Sequence, residues 1–279
     1  MKSFGARRTW RFLNYLVLVA GSFLALFPLC WLTLASFKNR MDILAYPPLL
    51  VFKPTLDNYL AIFAPTRMSF IAFWINSLII DFSALVIAFA VAIPCAYALS
   101  RFRFKGSKGL LFYIFSIRFG PPIGVLIPYY IMFSNLHLID TYGGMIILYQ
   151  TIAIPLLIWL VQGYLKEIPK DLEEAAMVDG CSRLGAFVRV TLPLARNGIA
   201  AAGILTLTFL WNELLYAFVF TGTATKTAPV GIWGFRSYTQ IEWGSMAAAS
   251  MVTVVPVLVF GVLMQRHLVR GIVSGAIKG

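Results

Sequence analysis

Residues 12–37 read FLNYLVLVAGSFLALFPLCWLTLASF, a run without one charged side chain. A helix rises about 1.5 Å per residue, and a bilayer core is crossed by about 20 mainly apolar residues. This run is long enough. Lys2, Arg7, Arg8 and Arg11 precede it, as in the basic start of a secretion signal. The apolar part is too long for a cleaved signal, and no small-residue cleavage site stands out. It is expected to be retained as a first span. Working outward, five more apolar stretches follow: about Ile71–Ser100, Leu110–Phe133, Gly144–Tyr164, Ile199–Thr221 and Ser245–Gln265. The whole composition agrees, with 60% hydrophobic and 12% charged residues and a mean hydropathy of +0.82. Soluble domains carry about twice that charge. The expected fold class is all-α, a polytopic membrane protein with six transmembrane helices in a single domain over residues 1–279.

Six spans put both termini on one side, and lysine and arginine choose the side. The N-terminal tail, the loop after the second span (Arg101, Arg103, Lys105, Lys108), the loop after the fourth (Lys166, Lys170, Arg183, Arg189, Arg196) and the C-terminal tail (Arg266, Arg270, Lys278) share one face. The other face holds only Lys38, Arg40, Lys53, Arg67, Lys226 and Arg236. The richer face is read as cytoplasmic, termini included. The net charge of +12 follows from this topology and from attraction to anionic membrane lipid, so no nucleic acid partner is implied. Cys30, Cys95 and Cys181 are isolated, suggesting neither disulfides nor a metal site. No nucleophile–base constellation is visible, so no catalytic residue is assigned. There is no phosphate loop of the G-x-x-x-x-G-K-[ST] kind.

Five of the eleven carboxylates fall in EIPKDLEEAAMVDG, residues 167–180: Glu167, Asp171, Glu173, Glu174 and Asp179. Such a stretch between two spans must project into water. Pro169 suits a first helical turn, and the acids that follow complement the helix dipole. Gly180 can end that helix in the left-handed conformation. Ser182 can cap a second short helix, which Pro193 is expected to stop. The result is an elbow over residues 166–198, with Ala175 and Ala176 bare between carboxylates. It reads either as a surface that docks closely into a partner's groove or as a solvated loop whose acids serve capping.

Glu174–Ala175–Ala176–Met177–Val178–Asp179–Gly180, followed by Val190–Thr191–Leu192–Pro193, resembles the EAA loop of importer-type ABC permeases. Trp211–Asn212–Glu213, Tyr46–Pro47–Pro48, Asp57–Asn58–Tyr59, Pro121–Pro122 with Ile127–Pro128, Trp243–Gly244 and the ending Gln265–Gly271 resemble the carbohydrate-uptake branch, the maltose-transporter-type second permease. The resemblance covers almost the whole chain. It departs at Cys181, where alanine is common, and at Asn197–Gly198, where a further proline is usual. The resemblance implies a type I ABC importer permease (MetI-like) fold and one half of a permease pair, expected as a heterodimer with a homologous subunit. It implies two cytoplasmic ATPase subunits that carry ATP and Mg, this chain binding no cofactor itself. It implies a periplasmic or lipid-anchored solute-binding protein on the other face and a place in a bacterial inner membrane. Under it, Glu173, Glu174, Ala175, Ala176, Asp179 and Gly180 contact an ATPase. Trp233, Arg236 and Tyr238, in the loop before the last span, meet the binding protein.

Asp81, Arg118 and Glu213 are ionisable groups placed inside spans, where such residues tend to face a cavity or a partner. Asp81 and Arg118 fall at similar depths, as a structural ion pair or as lining of a translocation path. Gly120–Pro121–Pro122 interrupts the third span, and irregular backbone at membrane depth belongs against protein or a wet cavity. Arg118, Pro121, Pro122, Asn212, Glu213 and Asp81 are the candidate path residues. The alternatives are a secondary, ion-coupled transporter and an ABC permease for a non-sugar solute.

Overall fold

The computed structural model describes residues 4–64, 69–102, 104–236 and 241–276. Among them every regular element is helical, apart from one isolated antiparallel bridge between Arg236 and Ile241. By length and composition five helices can cross a membrane. The chain packs as two units, Met1–Phe70 with Ile232–Thr253, and Ile71–Gly231 with Val254–Gly279.

In the first unit α1 (Phe4–Ser36) leads to the short helices α2 (Arg40–Leu44) and α3 (Asp57–Phe63). Most of the crossing part of α1, Leu13–Ser36, is exposed, and only its last turns pack into the chain, with Ser36 fully buried. The exposed length is left to lipid or another subunit. The turn below it is tied by polar bonds: Asn58 donates to the carbonyls of Ser36 and Lys38, and the Ser36 and Tyr59 hydroxyls meet at 2.9 Å. Lys38 is buried and donates to the carbonyl of Leu49.

The second unit is built on α4 (Phe70–Arg101). Ala84, Ala88, Ala92 and Ala96 recur every four residues on it, all with no exposure. A small-residue stripe of this spacing lets helices approach closely. The expected third span is divided: α5 (Ser107–Ser116), a 3₁₀ turn (Ile117–Phe119) and α6 (Pro122–Asn135) are separated by extended backbone at Gly120 and Pro121. Neither half is long enough to be counted a span by itself. Next come α7 (Tyr142–Glu167), the elbow helices α8 (Asp171–Val178) and α9 (Arg183–Ala186), and α10 (Leu192–Trp211). The expected fifth span is also interrupted, since α10 ends at Trp211 and α11 (Leu215–Phe220) begins beyond Asn212–Leu214. Helices α12 (Ala228–Trp233) and α13 (Trp243–Ala276) complete the chain.

Trp211, the last residue of α10, is 1% exposed and packs edge-on to Trp74 and Phe260. The segment before α12 is held by Asp140, whose carboxylate accepts from the backbone N–H groups of Gly222, Ala224 and Thr225 and from the Thr225 hydroxyl. Asn76 on α4 donates to the carbonyls of Ala224 and Lys226.

Helices α7 and α10 form the most extensive helix pair, and Gly198 marks their close approach. A Cβ built there would lie 2.4 Å from Cγ of Tyr164, part of a ring fixed to its own helix. The glycine standing where a proline is usual thus has a packing reason. Gly198→Ala should overpack this contact and destabilise the unit by about 1–3 kcal/mol, read as a lower unfolding temperature of the detergent-solubilised protein. An unchanged temperature would mean the helices separate freely.

Candidate functional site

The elbow is shaped by its caps. At the end of α8, Cys181 N–H bonds to the Ala176 carbonyl and Gly180 N–H to that of Met177, with Gly180 at φ +91°. This is the six-to-one, five-to-two pattern of a helix closed by a left-handed glycine. Ser182 accepts from Gly185 N–H and caps α9. Pro169 lies two residues ahead of Asp171, outside the first turn expected for it. Pro193 does not stop the second helix either. A π turn, Phe187–Thr191, carries the chain directly into α10, with Pro193 in its first turn. A proline there costs little because the first-turn N–H groups have no intrahelical acceptor.

Glu174, Ala175, Asp179 and Gly180 are exposed, and Ala176 is half-buried. Glu173 is not on that rim. It is the one buried residue of α8 and accepts from Nε of Arg101 at 2.6 Å, from the Thr191 hydroxyl at 2.6 Å and from the Tyr97 hydroxyl at 3.0 Å. Arg101 also donates to the carbonyl of Ile168. Two apolar residues join the exposed face instead: Val178 is 87% and Leu184 71% exposed. Sequence reading passed over both. The available signal was an apolar side chain on each side of the capping Gly180 in a loop assigned to water.

The second constellation surrounds a cavity of about 440 Å³. Arg118, Gly120 and Pro122 reach it from the α5–α6 break, Asn212, Glu213 and Leu214 from the α10–α11 break, and Tyr129, Thr151, Phe209 and Tyr216 complete its useful chemistry. Arg118 donates to the carbonyl of Ile152, and its guanidinium stands 5.0 Å from the Phe209 ring centre. Glu213 is spent locally, accepting from Tyr216 and Ala217 N–H at 3.1 Å each, which caps α11. Pro121 forms the extended entry to α6. Asp81 is elsewhere: it is 2% exposed on α4, and its Oδ1 has no hydrogen-bond partner among the described residues. Equal depth did not bring Asp81 and Arg118 together, because depth leaves the direction around the helix axis open. Among the described residues no three His, Cys, Asp or Glu gather to hold a metal ion.

On the remaining candidate surface, Trp233 is 47% exposed and the Arg236 guanidinium lies 5.8 Å from its ring centre. Tyr238 lies outside the described residues.

Comparison with known proteins is consistent across sequence and structure. Residues 84–274 match the family described as "Binding-protein-dependent transport system inner membrane component". A trehalose transport system permease protein of Mycobacterium tuberculosis is 38% identical over 99% of this chain and 100% of the relative. A trehalose/maltose transport system permease protein of Thermococcus litoralis is 31% identical over 96% and 98%. A chain of a bacterial ABC transporter involved in the import of the acidic polysaccharide alginate superposes with a TM-score of 0.77 at 21% identity, covering 95% of this chain and 98% of that one.

The Glu173 cluster makes the elbow sensitive to acid. Burial alone would push this carboxyl up. The Thr191 hydroxyl, Arg101 and the Tyr97 hydroxyl outweigh it and hold the carboxyl below its usual range. Stability from such a group is present above the unfolded value, about 4.3, and is lost as pH falls through the lower folded one. Protection of residues 171–191 against hydrogen exchange, taken relative to the free-peptide rate at each pH, should therefore fall on acidification below about pH 4. Glu173→Gln should flatten that dependence. A profile unchanged by the substitution would assign the acid sensitivity to another group.

Proposed function

The chain belongs to the family of binding-protein-dependent transport system inner membrane components, and from that premise we propose that it is the second permease half of an ATP-driven importer for a carbohydrate or related polyol. It is multi-pass in a bacterial cytoplasmic membrane, with both termini and the α8–α9 elbow in the cytoplasm. A homologous permease completes the path. Two cytoplasmic ATPase subunits hold ATP and Mg and hydrolyse it, and a periplasmic or lipid-anchored binding protein delivers the solute to the opposite face, where Trp233 and Arg236 offer an aromatic–cation contact.

The observation that carries this reading is the meeting of two interrupted helices on one cavity. Helix breaks expose backbone that hydrocarbon cannot satisfy, so they sit against protein or a wet cavity, and here both border a cavity. The lining suits a polyhydroxy solute, with the Phe209 ring as a flat apolar face and Thr151, Asn212, Tyr129 and Arg118 as hydrogen-bonding groups. The names of the relatives, trehalose and maltose permeases, support the same class. At the elbow, Val178 and Leu184 give a docking helix the apolar contact that the exposed acids alone lack, with Glu174 and Asp179 as its charged rim.

Two experiments test the halves of this reading. In the reconstituted transporter, Glu174→Lys should cut binding-protein-stimulated ATP hydrolysis by about tenfold or more, the size of one lost charged contact, and Ala175→Trp should cut it as much by blocking close approach. Full stimulation in both variants would remove the elbow from the ATPase interface. Asn212→Ala and Phe209→Ala should lower sugar uptake by about tenfold each, while the purified complex keeps all its subunits. Unchanged uptake would mean the cavity lies off the path.

A further inference from the structure

The geometry around Glu173 goes beyond a docking surface. Helix α8 buries a single side chain, and that side chain is a carboxylate. Its larger apolar residues Leu172 and Val178 point outward, 45% and 87% exposed. A short helix that only needed to be fastened to a membrane bundle would bury the leucine and leave the acid in water. Instead the acid is turned in, to a place where its charge must be matched. Arg101 forms a salt bridge with it at 2.6 Å, both side chains almost wholly buried.

The partners come from separate parts of the chain. Tyr97 and Arg101 stand on the last turn of α4, Ile168 at the end of α7, and Thr191 on the π turn at the root of α10. One carboxylate thus joins the elbow to α4 and to α10, while Arg101 holds the α7–α8 junction through the Ile168 carbonyl. Hydrogen bonds to a charged group are directional and strong, so this joint resists rotation as well as separation. Nonpolar packing would let α8 slide. Arg101 and Glu173 are 72 residues apart in sequence, so this noncovalent bond ties together parts of the chain that the backbone connects only at long range. Ring contacts also tie this end of α4 to the elbow, Tyr97 to Phe187 at 4.3 Å and Phe102 under Arg183 at 5.1 Å, but they reach its α9 and π-turn side, and the Glu173 bonds extend the tie to α8.

We propose that Glu173, with Arg101, Thr191 and Tyr97, is a positioning latch that makes α4 move with the elbow, so that ATPase closure reaches α4 as well as α10. The proposal rests on the elbow being the ATPase contact. In this division of labour Glu174 and Ala175 face the ATPase, and Glu173 faces the chain itself.

The test uses the complete transporter in liposomes, with subunit co-purification as the measure of assembly and sugar taken up per ATP hydrolysed as the measure of coupling. Thr191→Val and Tyr97→Phe each delete one hydroxyl. Each should leave assembly intact and lower uptake per ATP, Thr191→Val by about tenfold. Thr191→Ser restores the hydroxyl and should restore the ratio. The double variant Arg101→Met/Glu173→Met removes both charges without stranding either, so it should assemble yet couple poorly. A double variant that assembles and takes up sugar at the normal ratio would make the cluster structural only and overturn the latch. If the double variant does not assemble, the hydroxyl variants decide, and a normal ratio in both overturns it equally. Glu174→Lys and Ala175→Trp serve as the reference. If they uncouple and the latch variants do not, the latch alone is wrong. If they too couple normally, the elbow is not the contact and the reading beneath the latch falls.

Discussion

Hydrocarbon offers backbone groups no hydrogen-bond partner, and the whole second unit is arranged around that fact. An unbroken helix answers it by bonding every N–H and C=O internally. The two places where this chain declines to do so, Gly120–Pro121 and Asn212–Leu214, border the same cavity. At the second break Glu213 takes the N–H groups that start α11, and beside the first Arg118 reaches across to the Ile152 carbonyl of α7. Elsewhere the prolines inside helices, Pro94, Pro155 and Pro256, leave their helices continuous. A proline alone therefore does not interrupt a helix in this chain.

The elbow obeys the opposite rule. It lies outside the apolar spans, so charge is free on its surface and costly inside it. Glu173 and Glu174 are neighbours in sequence, but about 100° apart around the helix. One faces solvent and the other three partners. A buried charge is tolerated when it is paired and its remaining lone pairs are filled, and here Arg101, Thr191 and Tyr97 do both.

How much of this was legible follows from what sequence distance conveys. The charge-free run at 12–37 and the division of lysine and arginine between loops are local features, and the helical architecture came from them. The break at Gly120–Pro121–Pro122 was also visible, since proline and glycine act on their own backbone. So was the left-handed end of α8 at Gly180. The inward turn of Glu173 was not, because five acids in a row look alike until a partner 72 residues away selects one. The break after Trp211 was hidden because no proline or glycine marks it; its sign was an asparagine and a glutamate in an apolar run. The proposed pairing of Asp81 with Arg118 failed because a depth along the membrane normal carries no information about facing. Pro193 was read as a stop, whereas a π turn let the helix run through it.

The Asp140 carboxylate gathers the segment 222–225 onto the α6–α7 turn, and Asn76 holds the same segment from α4. A loop bound this way has already given up much of its conformational freedom before anything touches it. A protein landing on the neighbouring surface would not have to order these residues, a loss that otherwise weakens association. Affinity there is then set by how well the two surfaces match rather than by the cost of ordering the loop.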